Sequence, residues 1–343
     1  MSNRTEISTL GEFGLIRHLT DRIEIKNNST IKGIGDDAAI LSYEDKQVLV
    51  TTDLLLEGIH FDLTYVPLKH LGYKSAVVNF SDIYAMNGQP KQITVSLGIS
   101  KRFSVEDVED FYAGLKLACD VYGVDIVGGD TSASLTGLCI SITCIGEGEK
   151  DKVVLRSGAK ETDLICVSGD LGAAYMGLQL LEREKQVFKG EKDFTPDFTG
   201  KEYLLERQLK PEARKDIVEI LRNAGVVPTA MMDISDGLSS ELLHISKESN
   251  VGCRIYEDRI PIDYQTAAMA EQFNMNLITA ALNGGEDYEL LFTVPLTDHD
   301  KVSEIKGIKI IGHITKSDLG NYLVGRDGGE VELKAQGWNS LDE

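Results

Sequence analysis

Aspartates set beside glycines or other small residues recur along this chain, and their spacing could hold cations and phosphates. The first such stretch is Gly33-Ile34-Gly35-Asp36-Asp37-Ala38-Ala39-Ile40, followed shortly by Thr51-Thr52-Asp53. Two glycines take the backbone through a tight turn that bulkier residues resist. Adjacent carboxylates repel one another unless something positive sits among them, and hard divalent cations do so through oxygen ligands. A solvated acidic turn would explain one such stretch. The pattern returns in Asn79-Phe80-Ser81-Asp82, Gly128-Gly129-Asp130-Thr131, Met232-Asp233-Ile234-Ser235-Asp236-Gly237 and Gly284-Gly285-Glu286-Asp287-Tyr288-Glu289. Solvated faces favour Lys and Glu on helices over Asp after Gly, so the repetition points to metal-assisted phosphate chemistry.

The motifs that are missing narrow the chemistry. There is no GxxxxGKS or GxxxxGKT, no GxGxxG, no GxSxG and no HExxH. The 6 histidines are scattered, which argues against a histidine-built transition-metal site. Aspartates, glycine turns exposing backbone N–H groups and a few basic residues remain. That inventory suits magnesium, which takes one or two carboxylates plus phosphate oxygens, with the N–H turns receiving anions. The net charge is -20, so nucleic acid and anionic membranes are poor partners, since both need a basic footprint. A phosphorylated substrate would be repelled without intervening cations.

Two domains must position these acids. The 343 residues, 42% of them hydrophobic, suffice for two sizeable cores. Strands are expected at Ala38–Leu41 and Gln47–Thr52, then a helix opened by Pro67 and stopped by Gly88 and Pro90, on which Asn79 and Asp82 can face one place. A strand at Ile93–Ile99, a helix at Val105–Tyr122, a short buried strand at Asp125–Val127 and a strand at Leu138–Glu147 follow. Glu12–Leu19 reads as a short helix preceding them. The Gly, Glu and Lys of residues 146–152 mark a boundary. This gives a first domain over 1–150 and a second, α/β domain over 151–343. In the second, strands are expected at Leu164–Ser168, Cys253–Tyr256, Glu289–Val294, Ile308–Ile314 and Tyr322–Val324. Its helices begin at Ala173 and cover Pro211–Ala224, Leu238–Ser249 and Tyr264–Phe273, with a surface loop over Gln186–Lys201. The fold class is α+β or α/β in two domains. The 5 cysteines contain no CxxC pair, and no apolar run approaches ~18 residues, so a cytoplasmic protein with reduced thiols is expected.

The ordered motifs GIGDDAA, TTDLLLEGIHF, NFSDIYAMNGQP, VGGDTS, LRSGAK, DISDGLSSEL and GGEDYELLF resemble the thiamine-monophosphate kinase family of the aminoimidazole-ribonucleotide-synthetase-like ATP-binding superfamily. The resemblance runs from Gly11 to Trp338. It implies transfer of the γ-phosphoryl of ATP to the phosphate of thiamine monophosphate, with several Mg²⁺ ions. It also implies a homodimer whose first domains form a β-barrel across the pair, with the site in the cleft between domains. By the same resemblance Asp37, Thr51, Thr52, Asp53, Asp82, Asp130, Asp233 and Asp236 are magnesium ligands, with Asp82, Asp130 and Asp236 the catalytic acids. Tyr112, Gly129, Asp130, Arg156 and Ser235 match ATP-contacting positions, and His60, Glu286 and Trp338 match the substrate side.

Each residue also has a plainer reading. Asp233 and Asp236 fit as helix N-caps for Leu238–Ser249. His60 fits as a loop histidine, Arg156 as a surface ion pair, Tyr112 as core, and Trp338 as a surface-packed aromatic. Alternative functions are another ATP-using member of the superfamily, such as the purine-pathway cyclase or selenophosphate synthetase, or a non-catalytic nucleotide-binding regulator. The selenophosphate chemistry needs a reactive Cys in an N-terminal glycine-rich loop, and no cysteine precedes Cys119.

Overall fold

The computed structural model describes residues 30–32, 36–43, 46–190 and 198–336. The expected helix at Glu12–Leu19 and the residues Gly33, Ile34, Gly35 and Trp338 lie outside them. The first half runs β1 (Thr30–Lys32), β2 (Ala39–Tyr43), β3 (Lys46–Leu56), α1 (Leu68–Ala85), β4 (Gln89–Ile99), α2 (Val105–Tyr122), β5 (Asp125–Ala133) and β6 (Cys139–Glu149). Its strands form one open sheet in the order β1-β2-β3-β6-β4-β5. Alternation along β3 turns Leu49, Thr51, Asp53 and Leu55 to the face covered by α1. Val48, Val50, Thr52 and Leu54 face the other way.

Helix α1 is buried along most of its length, with Leu71, Phe80 and Ile83 fully enclosed. It starts at Pro67, whose missing N–H matters least at a helix start, and it stops just before Gly88 and Pro90. Helix α2 packs against it, capped by Ser104 and Asp107 in a reciprocal box and closed by Gly123 in the left-handed conformation.

The second half contains β7 (Leu164–Ser168), α3 (Ala173–Gly190), α4 (Glu202–Leu209), α5 (Lys215–Asn223), β8 (Ala230–Asp233), α6 (Leu238–Ser249) and β9 (Val251–Tyr256). It continues with α7 (Tyr264–Gln272), α8 (Leu277–Asn283), β10 (Leu290–Val294), α9 (His299–Ser303), β11 (Ile308–Lys316), β12 (Asn321–Val324) and β13 (Glu330–Glu332). A second open sheet runs β13-β12-β9-β11-β7-β10-β8. β7, β8 and β10 are buried throughout, as continuous apolar runs require. The two halves share packing: one apolar cluster runs from Leu49, Phe80 and Ile142 of the first half to Cys166, Ile217 and Phe292 of the second.

Several expected elements are corrected. The strand anticipated as short and buried at Asp125–Val127 extends to Ala133 and is exposed along its whole length, because β5 is the edge of its sheet. The expected loop from Gln186 is helical through Gly190. The helix expected from Pro211 starts only at Lys215. Before it, the Tyr122 hydroxyl receives the Ala213 N–H, and Glu212 accepts the hydroxyls of Tyr73 and Tyr122 at 2.7 Å each, holding the segment in another conformation. Helices α4 and α8 have 8 and 7 residues, too short for a clear apolar period. Among the described residues both sheets are open, and neither closes a barrel within the chain. All five cysteines are free. Among the described residues no helix is long and apolar enough to cross a membrane.

Candidate active site

Three structural elements deliver three carboxylates to one point. Asp37 precedes β2, Asp82 sits one turn from the end of α1, and Asp233 is the last residue of β8. Each offers an oxygen, and the three oxygens lie within 4.8 Å of one another. Thr51 on β3 donates its hydroxyl to Asp82 Oδ2 at 2.6 Å, and Ser81 donates to Asp233 Oδ2 at 2.5 Å. Arg156 lays its guanidinium on Asp37 and gives its backbone N–H to Asp36 Oδ1 at 3.2 Å. Asp37 Oδ2 is buried and has no hydrogen-bond partner.

The crowding shows in the acidities. Burial, then the charges of Asp53, Asp233 and Asp37, hold the Asp82 carboxyl well above the usual carboxylate range. Burial pushes Asp53 up to about 6. Burial, with Asp37 adding to it, pushes Asp233 up to about 7 and Asp36 up to about 6. Carboxylates this close and this dry must either take up protons or share cations. The donors at the meeting point are oxygens only, and one is unsatisfied, which fits Mg²⁺ and disfavours softer metals.

Beside the cluster, two loops of the second half lock together. Glu286 donates its N–H to Ser235 O at 2.7 Å, and Tyr288 donates to Ile234 O at 2.9 Å. The backbone here is strained: Glu286 and Tyr288 have φ of 58° and 51°, preceded by Gly285 at 71°. A Cβ on Gly285 would lie 2.6 Å from Ser235 O, so only glycine fits. The Tyr288 hydroxyl is driven above its ordinary range by burial, then by Glu286, Asp53, Asp233 and Asp236, which places this loop within the field of the acids. Neither Asp233 nor Asp236 caps α6. Gly237 occupies the N-cap with no side-chain bond, and Glu241 reaches back to accept the Asp236 N–H at 3.0 Å.

In the same loop, Glu286 Oε1 pairs with Lys74 at 2.9 Å and Oε2 accepts from Gln208 at 2.8 Å. His60 Nδ1 accepts the Leu56 N–H at 3.0 Å, which pins the loop after β3 and leaves Nε2 as the nitrogen to carry a proton. Tyr112 on α2 lines a cavity of about 490 Å³ together with Ile99, Phe103, Val108 and Thr131. Thr131 follows Gly129 and Asp130 on β5. Gly129 runs so close to β4 that a Cβ would lie 1.9 Å from Val95 O.

Two residues of the expected ligand set stand apart within the chain. The Thr52 side chain is exposed on the other face of β3 and donates to Ile142 O at 3.1 Å. Asp130 pairs with Ser96, which pairs with Ser141, which pairs with Leu54 of the same outer face. Asp130 is therefore three strand spacings, roughly 14 Å, from β3.

Matches to known proteins agree with this geometry. Residues 35–147 match the model for the AIR synthase related protein N-terminal domain, and residues 160–323 match that for the C-terminal domain. The chain is 37% identical over 315 residues to thiamine-monophosphate kinase of Aquifex aeolicus, covering 89% of this chain and 96% of that one. It is 33% identical over 339 residues to thiamine-monophosphate kinase of Bacillus subtilis, covering 96% and 99%. The chain belongs to the thiamine-monophosphate kinase family. A solved structure of AaThiL complexed with AMPPCP and TMP superposes with a TM-score of 0.83 at 36% identity, covering 98% of this chain and 99% of that one. The hydrogenase maturation protein HypE, at 20% identity or less, shares the fold alone.

Within this kinase-family chain, sequence reading gave no role to four side chains that shape the site: Asp36, noted only as an adjacent acid, Lys74, Ser81 and Glu241. Ser81 and Asp36 carry a local signal, since each adjoins an assigned aspartate. Glu241 stands in the first turn of α6, where an acid can reach back to the N-terminus. Lys74 carries none, because a lysine on a helix normally reads as solvated.

Proposed function

We propose that this protein transfers the γ-phosphoryl group of ATP to the phosphate of thiamine monophosphate, giving thiamine diphosphate and ADP. Family membership over nearly the whole chain supports the reaction, and the observation that carries it is the meeting of Asp37, Asp82 and Asp233. The acceptor phosphate has a second pKa of about 6 and is mostly dianionic at neutral pH, so no side chain need act as base. The chain's task is to hold two polyanions in line inside an acidic protein. Magnesium held by Asp37, Asp53, Asp82 and Asp233, with Thr51 and Asp236 beside them, would supply charge neutralisation and Lewis acidity at the transferred phosphoryl.

In this reading Asp82 and Asp236 stand at the reacting phosphates, Arg156, Ser235 and Gly129 contact ATP, and Tyr112 lines the cavity for its flat base. His60, Glu286 and Trp338 receive the thiamine end. The first domain spans 1–150 and the second 151–343, and the enzyme works in the cytoplasm with its thiols reduced. The deciding assay measures ATP-dependent phosphorylation of thiamine monophosphate, with thiamine as the control acceptor. Turnover of thiamine comparable to that of its monophosphate rules out a phosphate acceptor, and no turnover of either rules out the kinase.

The working form in this reading is a homodimer joined through the first domains, where the two open sheets close a barrel. The outer sheet face and edge expose Leu54 at 53%, Ile126 at 39% and Val127 at 57%, an apolar surface around an unpaired strand edge. Thr52 and Asp130 lie on that outer face, so they complete the cation site only across the interface. Co-expressing Asp82→Asn and Asp130→Asn chains, each inactive alone, then restores about a quarter of wild-type activity, because half of randomly paired dimers are mixed and each holds one intact site. No recovery, or a monomer at micromolar concentration by sedimentation, excludes a shared site.

A further inference from the structure

Lys74 lies on α1 eight residues before Asp82 and is only 6% exposed. Lysine is seldom buried unless paired. Here it makes an ion pair of 2.9 Å with Glu286 Oε1 and donates to Gln208 O at 3.1 Å, a carbonyl in the last turn of α4. Gln208 itself gives its amide to the other oxygen of Glu286 at 2.8 Å. Both oxygens of Glu286 are therefore fixed from below, while its side chain keeps 31% of its surface exposed.

Seven residues further along the same helix, Ser81 donates to Asp233 at 2.5 Å. Positions i and i+7 share a helix face, about 10.5 Å apart along the axis. One face of α1 therefore holds two loops of the second half at a set spacing. Ser81 grips the end of β8, where the acids meet, and Lys74 grips the strained loop that carries Glu286. That loop has left-handed residues at 285, 286 and 288, so its backbone does not fix the Glu286 carboxylate by ordinary secondary structure.

We infer that Lys74 is a positioning residue that aims Glu286 at the organic end of the acceptor, so that α1 sets the distance between the acidic cluster and the acceptor-recognition group. This rests on the reading of Glu286 as a substrate contact given above. A group acting this way affects acceptor binding and leaves nucleotide binding and the chemical step alone. Removing the lysine leaves a half-buried carboxylate with a single amide partner and freedom to turn from the substrate.

The test is a double-mutant cycle read by steady-state kinetics. Lys74→Met raises KM for thiamine monophosphate about tenfold or more, with KM for ATP and kcat within about twofold of wild type. Lys74→Arg, which keeps the charge, recovers most of the loss. In a Glu286→Gln background, Lys74→Met adds less than about twofold, because the route to substrate is already cut. Should Lys74→Met fail to fold, Lys74→Gln carries the same comparison. If Glu286→Gln alone leaves the acceptor KM unchanged, the substrate reading of Glu286 fails and this inference with it. If Glu286→Gln raises that KM while the lysine variants leave it unchanged, add independently, or lower only the melting temperature, Lys74 is structural and the inference alone is overturned.

Discussion

Asp37, Asp82 and Asp233 crowd together with Arg156 as their guanidinium partner, whereas Glu289 lies between two guanidiniums. Arg207 reaches Glu289 Oε1 at 2.8 Å, Arg214 pairs with Oε2, and Ser168 donates to the same carboxylate. Both groups are buried and both are built from several chain segments, yet their charges balance differently. Around Glu289 burial lowers the pKa of the two arginines, but the neighbouring carboxylates outweigh it and raise it above the usual range. In the aspartate cluster burial and mutual repulsion act together, and Asp53, Asp82 and Asp233 all rise. A balanced buried network holds a fold together. An unbalanced one has a use for cations from outside. The two are connected, since Arg207 also donates to Asp287 O at 3.3 Å, bracing the loop that carries Glu286.

The largest expected effect falls on the unbalanced side. Asp82→Asn keeps shape and the Thr51 contact while removing a charge, and should lower kcat by ~10²-fold or more with far-UV circular dichroism unchanged. Near-normal turnover at saturating magnesium would show that the cluster does not carry the reaction. On the balanced side, Glu289→Gln leaves two buried arginines short of a carboxylate. It should cost about 3–5 kcal/mol of stability in urea unfolding, with kcat per folded molecule little changed. A variant as stable as wild type would erase the distinction between the two networks.

A smaller effect sharpens the contrast, because its sign is opposite. In chelator-treated protein Asp233→Asn relieves repulsion and desolvation, keeps a partner for Ser81, and should stabilise the fold by about 1 kcal/mol. Added magnesium should raise the melting temperature of the wild type and much less that of the variant. Destabilisation without metal, together with an undiminished magnesium shift, would make Asp233 a structural acid like Glu289.

The sequence by itself determined the elements with strong local signals. Helix α2 spans Val105–Tyr122 and α6 spans Leu238–Ser249, both as read from apolar spacing, and β7 spans Leu164–Ser168. The acidic motifs and their order were also legible, because an aspartate after a glycine turn or a buried run is unusual in any solvated face. Tertiary structure decided what those motifs share. Asp37, Asp82 and Asp233 are separated by 45 and 151 positions, and only the packing of α1 between the first sheet and β8 brings them together. The same alternation that turns Thr51 and Asp53 inward turns Thr52 outward, and edge placement of β5 removes Asp130 from the cluster within one chain. The ion pairs of Lys74 and Glu289 were illegible for a related reason. A charged residue declares nothing locally about burial, since its partner comes from a distant segment and the free energy of the pair depends on water being excluded from both.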